Sequence, residues 1–215
     1  MKIKGAVFDM DGVLLNSEIL YQRFWLEALK SFGYDANKNH IMALRSLTGK
    51  KAEEKLHSFF GNSLDYPSVK AKRIELMDEF VEENGVEMKY GVDILLPYLK
   101  DKGVRLALAT SSPYERAKNH LSRVGLFQYF DEICCGNMVA NSKPAPDIYL
   151  FACEKLGLAP QDCIAVEDSP NGALSAIGAG CKTIFVPDLS PCPKDLQENV
   201  FAVCENLEEI KKIVI

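Results

Sequence analysis

Two carboxylates, Asp9 and Asp11, stand one residue apart between the apolar pair Val7-Phe8 and Gly12, in the stretch VFDMDGVLL. Like charges crowded at the end of an apolar run are costly unless a cation or a reaction uses them. Aspartate and glycine also build tight turns for purely local reasons, so this motif alone is compatible with a simple bend. Three further groups follow in chain order. Thr110, Ser111 and Ser112 come after VRLALA and before Pro113, Lys143 lies in NSKPAPD, and Glu167 and Asp168 end the run CIAV before Ser169-Pro170. Each has an ordinary explanation by itself, since hydroxyls and acids cap helices and a loop lysine is usually solvated. Two acids at the second run, added to Asp9 and Asp11, exceed what capping requires. Four acids in one crevice call for a hard divalent cation, and oxygen-only ligands point to Mg²⁺ and phosphate chemistry rather than to zinc. Thr110 and Lys143 then supply a donor and a positive charge for phosphoryl oxygens. Ser111 and Ser112 add hydroxyls at a helix N-terminus, a position suited to anions.

These groups meet only if the elements carrying them share one edge. From Ser17 to Gly85 apolar residues recur at spacings of three and four, in SEILYQRFWLEALKSFG, NHIMALRSLTG, KAEEKLHSFFG and PSVKAKRIELMDEFVEENG, with Gly33, Gly49, Gly61 and Gly85 as stops. This pattern predicts a small helical bundle. From Val92 onward helices and short apolar strands alternate, ending in a weak strand FAVC and a final helix NLEEIKKIV. Such repeated units predict an α/β fold with a parallel sheet covered on both faces. The isolated first strand, Ile3–Phe8, joins that sheet. The expected division is therefore a core of residues 1–16 and 87–215 interrupted by a helical cap of residues 17–86. In open parallel sheets ligands bind at the carboxyl ends of the strands, where all four motifs fall.

With 215 residues, 47% of them apolar, the chain has material for a large core. A net charge of −5 argues against a general nucleic-acid or acidic-membrane binder and favours a small partner. No apolar stretch has the length of a secretory signal or a membrane span, so a soluble cytoplasmic protein is expected. The seven cysteines show no zinc-like spacing and read as reduced core thiols, with Cys192, between Pro191 and Pro193, expected to be exposed. His40, His57 and His120 have no spacing suited to a metal.

The chain resembles the haloacid dehalogenase superfamily, in its phosphatase and phosphomutase branch. The resemblance rests on D-x-D-G at Asp9–Gly12, Thr110, the lysine of Ser142-Lys143-Pro144, and Glu167-Asp168-Ser169, in that order. It implies a Rossmann-like three-layer core with an α-helical cap inserted after the first strand. It also implies Asp9 as the nucleophile that takes the phosphoryl group, and Asp11 as general acid and base whose backbone carbonyl contacts the metal. Asp168 would bind Mg²⁺, with Glu167 a ligand or the holder of a metal-bound water. Thr110 and Lys143 would hold the phosphoryl oxygens. The acid at Asp11 sets the chain apart from the dehalogenases and favours phosphoryl chemistry.

Within the branch the chain is similar to β-phosphoglucomutase and to sugar-phosphate phosphatases. Tyr21 and Ala52 stand where the mutases carry a cap histidine and arginine. Trp25 and the segment Thr48-Gly49-Lys50-Lys51 are candidate substrate contacts. The expected function is a monomeric Mg²⁺-dependent phosphatase acting on a small phosphorylated metabolite, most plausibly a sugar phosphate. A β-phosphoglucomutase-type isomerase and an inorganic pyrophosphatase are the alternatives, with a non-catalytic binding module behind them.

Overall fold

A computed structural model describes residues 2–45, 47 and 49–214. The chain forms two compact units, Ser17–Gly85 and the combination of Met1–Asn16 with Val86–Ile215. The first unit holds α1 (Glu18–Ser31), α2 (Lys38–Met42), α3 (Gly49–Phe60) and α4 (Tyr66–Asn84). Its core gathers Ala28 and Leu29 of α1, Ile41 of α2, Ala52 and Leu56 of α3, and Tyr66 and Val69 of α4. Asn37 caps α2 by accepting from the backbone N–H groups of Asn39 and His40, and Asp65 caps α4 through Ser68. These caps satisfy donors that a helix start leaves open.

The other unit is built on six strands: β1 (Gly5–Phe8), β2 (Arg105–Thr110), β3 (Glu132–Cys135), β4 (Cys163–Glu167), β5 (Lys182–Phe185) and β6 (Ala202–Val203). They form one sheet in the order β3-β2-β1-β4-β5-β6, with every neighbouring pair parallel. Among the described residues five α-helices accompany them: α5 (Val92–Asp101), α6 (Tyr114–Arg123), α7 (Asp147–Lys155), α8 (Pro170–Ala179) and α9 (Lys194–Gln197). Val7, Ala107, Ala109, Cys163 and Ala165 alternate onto one face, where they pack with Ile148, Tyr149 and Ala152 of α7 and Ala176 of α8. Ala6, Phe8, Leu106, Leu108, Ile164 and Val166 are equally buried and point the other way. Burial on both faces explains why these strands read as unbroken apolar runs. Strand order reverses direction around β1, between β2 and β4, and the crevice at their carboxyl ends is the usual ligand position of such a sheet.

Several sequence expectations are corrected. Helix α2 spans five residues rather than the whole NHIMALRSLTG stretch, because Ala43–Arg45 turn away from it, and Gly49 opens α3 with a positive φ of +54° instead of closing a segment. The final element, Leu207–Lys212, is a 3₁₀ helix. Cys192 is buried rather than exposed, packed with Ala173, Phe185 and Leu196, because α9 starts immediately after Pro193 and folds over it. All seven cysteines are free and buried.

Leu56 is fully enclosed in the helical core, whereas Lys51 is exposed on the same helix. Leu56→Ala is expected to lower unfolding free energy by about 3 kcal/mol and Lys51→Ala by less than about 0.5 kcal/mol, measured by urea denaturation.

Candidate active site

Strand β1 delivers Asp9 to the carboxyl edge. Its three apolar residues Ala6, Val7 and Phe8 are locked between β2 and β4, and the Asp9 N–H continues the ladder by donating to Val166 O at 3.0 Å. The chain then turns tightly, with the N–H groups of Leu14 and Leu15 donating to Met10 O and that of Gly12 to Leu15 O. Gly12 is required twice over in this turn. Its φ is +82°, and a Cβ there would lie 2.5 Å from Asp168 Oδ2.

Strand β2 ends in Thr110, which is fully buried and accepts from the Ser112 N–H at 3.0 Å. That leaves the threonine O–H as a donor. Ser112 Oγ donates to Asp11 Oδ2 at 3.2 Å, so the second acid of the motif is tied to the loop after β2. Ser111, between them, is exposed. Strand β4 ends in Glu167, and Asp168 follows; both are buried.

Lys143 reaches this edge from the loop before α7. Its Nζ donates to Asp9 Oδ1 at 2.8 Å, Ala109 O at 3.0 Å and Glu167 Oε1 at 2.6 Å, which uses all three ammonium protons. In that loop the Lys143-Pro144 peptide bond is cis. Ala145 O accepts from Ser175 Oγ, which ties the loop to α8.

Glu167 has both oxygens engaged. Oε1 accepts from Lys143 and from the Tyr149 hydroxyl at 2.7 Å, while Oε2 accepts from the N–H groups of Asp168 and Ser169 and from Ser169 Oγ. The carboxylate lies directly over Gly172 at the start of α8. A Cβ on Gly172 would fall 1.9 Å from Oε1.

Asp9, Glu167 and Asp168 each offer a carboxylate oxygen within 4.8 Å of the others. Burial raises the Asp9 carboxyl to about 8, with Glu167 and Asp11 adding to the rise and Lys143 opposing it. Burial works against the Lys143 charge too, but Asp9 and Glu167 outweigh it and raise that pKa. A second positive charge beside Asp9 would favour its ionised form against both burial and the neighbouring acids. A buried edge so rich in carboxylate oxygens, with negative charge in excess, fits a hard divalent cation.

The sheet edge thus gathers Asp9, Asp11, Thr110, Ser112, Lys143, Glu167 and Asp168. The other candidates, Trp25, Gly49 and Lys50, belong to the helical unit. Trp25 stacks on Tyr66 with ring centroids 6.1 Å apart, while Gly49 and Lys50 are exposed and Lys50 lies 3.8 Å from Glu54. Thr48 lies outside the described residues.

Two side chains escaped the sequence reading. Tyr149 reads as one more core aromatic of α7. Arg73, buried in α4, places its guanidinium 4.9 Å from the Tyr21 ring centroid and 5.4 Å from that of Trp25. The signal for Arg73 was available. It occupies the four-residue stripe of Val69, Met77 and Val81, where a cation is out of place.

Residues 6–186 match the haloacid dehalogenase-like hydrolases. The hexitol phosphatase A of Escherichia coli K12 is 33% identical over 213 residues, covering 98% of this chain and 94% of its own. A phosphorylated carbohydrates phosphatase of Thermotoga maritima is 31% identical, with 85% and 84% covered. Among solved structures, CbbY of Rhodobacter sphaeroides in complex with phosphate superposes with a TM-score of 0.82 at 27% identity, covering 97% of this chain and 96% of that one.

A group whose folded pKa is raised stabilises the fold when protonated. The Asp9 contribution is therefore lost as pH climbs from the ordinary 3.8 through about 8. Urea unfolding should show a stabilisation by added Mg²⁺ over EDTA that grows between pH 5 and pH 8.5, and a constant difference would contradict the Asp9 assignment. In Gly12→Ala, displacement of Asp168 should weaken Mg²⁺ binding at least about tenfold by calorimetry.

Proposed function

This chain belongs to the haloacid dehalogenase-like hydrolase family and is a phosphatase, and on that premise we propose that it hydrolyses monophosphate esters of small sugars or sugar alcohols in a Mg²⁺-dependent reaction. The observation that carries the proposal is the Lys143 ammonium bridging Asp9 and Glu167 at the sheet edge.

Asp9 is the phosphoryl acceptor, and its attack forms an aspartyl-phosphate that water then hydrolyses. Lys143 reduces the repulsion between this carboxylate and an anionic target, and the Thr110 hydroxyl, at the start of the loop after β2, supplies a donor to the phosphoryl oxygens. Exposed Ser111 adds a further hydroxyl to that loop. Asp11, held through Ser112, protonates the leaving oxygen and later takes a proton from water. Asp9 and Asp168, with the Asp11 main-chain carbonyl, are the residues that would hold Mg²⁺. When bound, Mg²⁺ would neutralise charge on the phosphoryl oxygens.

By the family resemblance, choice of leaving group falls to the helical unit. Trp25 and Tyr21 are half-buried with Arg73 against their rings, and the ring edges left exposed suit the C–H surface of a sugar. Gly49 and Lys50 offer a further backbone donor and a cation. The relatives named for hexitol and carbohydrate phosphates support this substrate class. Seven free thiols support a reducing, cytoplasmic setting, and a monomer suffices for a site whose groups all come from one chain.

The test is a panel of hexitol 6-phosphates, hexose phosphates and pyrophosphate, read for released phosphate and for isomerised sugar. Phosphate release from the hexose and hexitol monophosphates is expected. Isomerisation of β-glucose 1-phosphate with little phosphate released would replace hydrolysis by a mutase, and preference for pyrophosphate would replace the substrate class. Asp11→Asn should lower kcat by about 10²–10⁴-fold, and Asp9→Asn should abolish turnover.

A further inference from the structure

We propose that Tyr149 is a positioning residue for phosphoryl transfer, fixing Lys143 through Glu167, and that Glu167 is an anchor outside the metal's coordination shell. The inference rests on the phosphatase reading above and adds to it a residue from the sheet-facing side of α7.

The carboxylate of Glu167 is fully buried and its two oxygens receive five donors, three of them at Oε2 from the turn that starts α8. Its acceptor capacity of about four lone pairs is filled without a metal. Asp168 sits at the β1 turn, where the absence of a side chain at Gly12 makes room for its carboxylate. Glu167 therefore serves as the fixed end of a chain of contacts.

That chain runs from the Tyr149 hydroxyl to Glu167 Oε1, and from the same oxygen to Lys143 Nζ and on to Asp9 Oδ1. The Tyr149 ring is fully buried and its centroid lies 5.1 Å from Lys143 Nζ, so one residue both hydrogen-bonds the anchor and backs the ammonium. Gly172 completes the socket, because any side chain there would occupy the space of the Glu167 carboxylate.

Lys143 has no spare proton in this arrangement. To bind a phosphoryl oxygen it must exchange one acceptor while the other two hold it in place. Tyr149 makes Glu167 a fixed partner, so that Asp9 is the acceptor exchanged. Without the hydroxyl, Glu167 Oε1 loses one of its two restraints and the ammonium loses its fixed direction.

The experiment compares wild type, Tyr149→Phe, Glu167→Gln and the double variant. Tyr149→Phe keeps the buried ring and removes only the hydroxyl. It is expected to lower kcat about 10–100-fold with KM changed less than twofold, and to weaken inhibition by orthovanadate about tenfold. Mg²⁺ affinity, measured by calorimetry without substrate, should stay within threefold of wild type. In the Glu167→Gln background the second substitution should change kcat less than twofold, since Tyr149 acts through Glu167. A kcat and a vanadate inhibition constant both within twofold of wild type would overturn the proposal. So would independent, multiplying effects in the double variant, or a tenfold loss of Mg²⁺ affinity in Tyr149→Phe. Inactive wild type would instead count against the phosphatase reading, while Mg²⁺ binding remained measurable. Should Tyr149→Phe fail to fold, Gly172→Ala displaces the same carboxylate and is expected to give the same kcat loss at constant KM.

Discussion

The structure is organised around the repulsion among carboxylates buried at one end of a sheet. Asp9, Glu167 and Asp168 bring carboxylate oxygens within 4.8 Å of one another, and Asp11 stands beside them, with the Lys143 ammonium bridging Asp9 and Glu167. Charges of one sign in a low-dielectric setting either take up protons or recruit counter-charge. The raised pKa of Asp9 records the first response in the chain alone, and the three-way contact of Lys143 records the second. This same imbalance suits the site to a divalent cation and an anionic phosphoryl group.

The parallel sheet makes the crowding geometrically possible. Strands β1, β2 and β4 run side by side in one direction, so residues that follow them in sequence emerge at one edge. Two glycines then allow the carboxylates to settle. Gly12 makes room for Asp168 and Gly172 for Glu167, and in both cases a methyl group would collide with the carboxylate. The backbone thus gives way at the points where the acids must fit, and the apolar remainder of β1 and β4 supplies the rigidity that holds them there.

Much of this was legible in the chain itself. Buried parallel strands read as short apolar runs, and reactive residues at the ends of such runs mark the ligand edge, so Asp9, Asp11, Thr110, Lys143, Glu167 and Asp168 could be grouped before any coordinates. Contacts that depend on the third dimension were not legible. Tyr149 looks like any aromatic on the inner face of α7 until its hydroxyl is seen to point at Glu167. Gly172 looks like helix filler until a carboxylate is found above it. Cys192 was misread because flanking prolines signal a surface loop, while a short helix following it in the chain covers the thiol. The early end of α2 reflects local turn formation after Met42, which the helical spacing of the apolar residues concealed.

Covalent transfer of the phosphoryl group to Asp9, as proposed, leaves an aspartyl-phosphate that can be trapped. Enzyme mixed with excess hexitol phosphate and Mg²⁺, quenched in acid within one turnover and digested, should yield a phosphorylated peptide bearing the modification on Asp9, absent in Asp9→Asn. Phosphate released in the first turnover with no phosphorylated peptide at any quench time would contradict the account and point to direct attack by water.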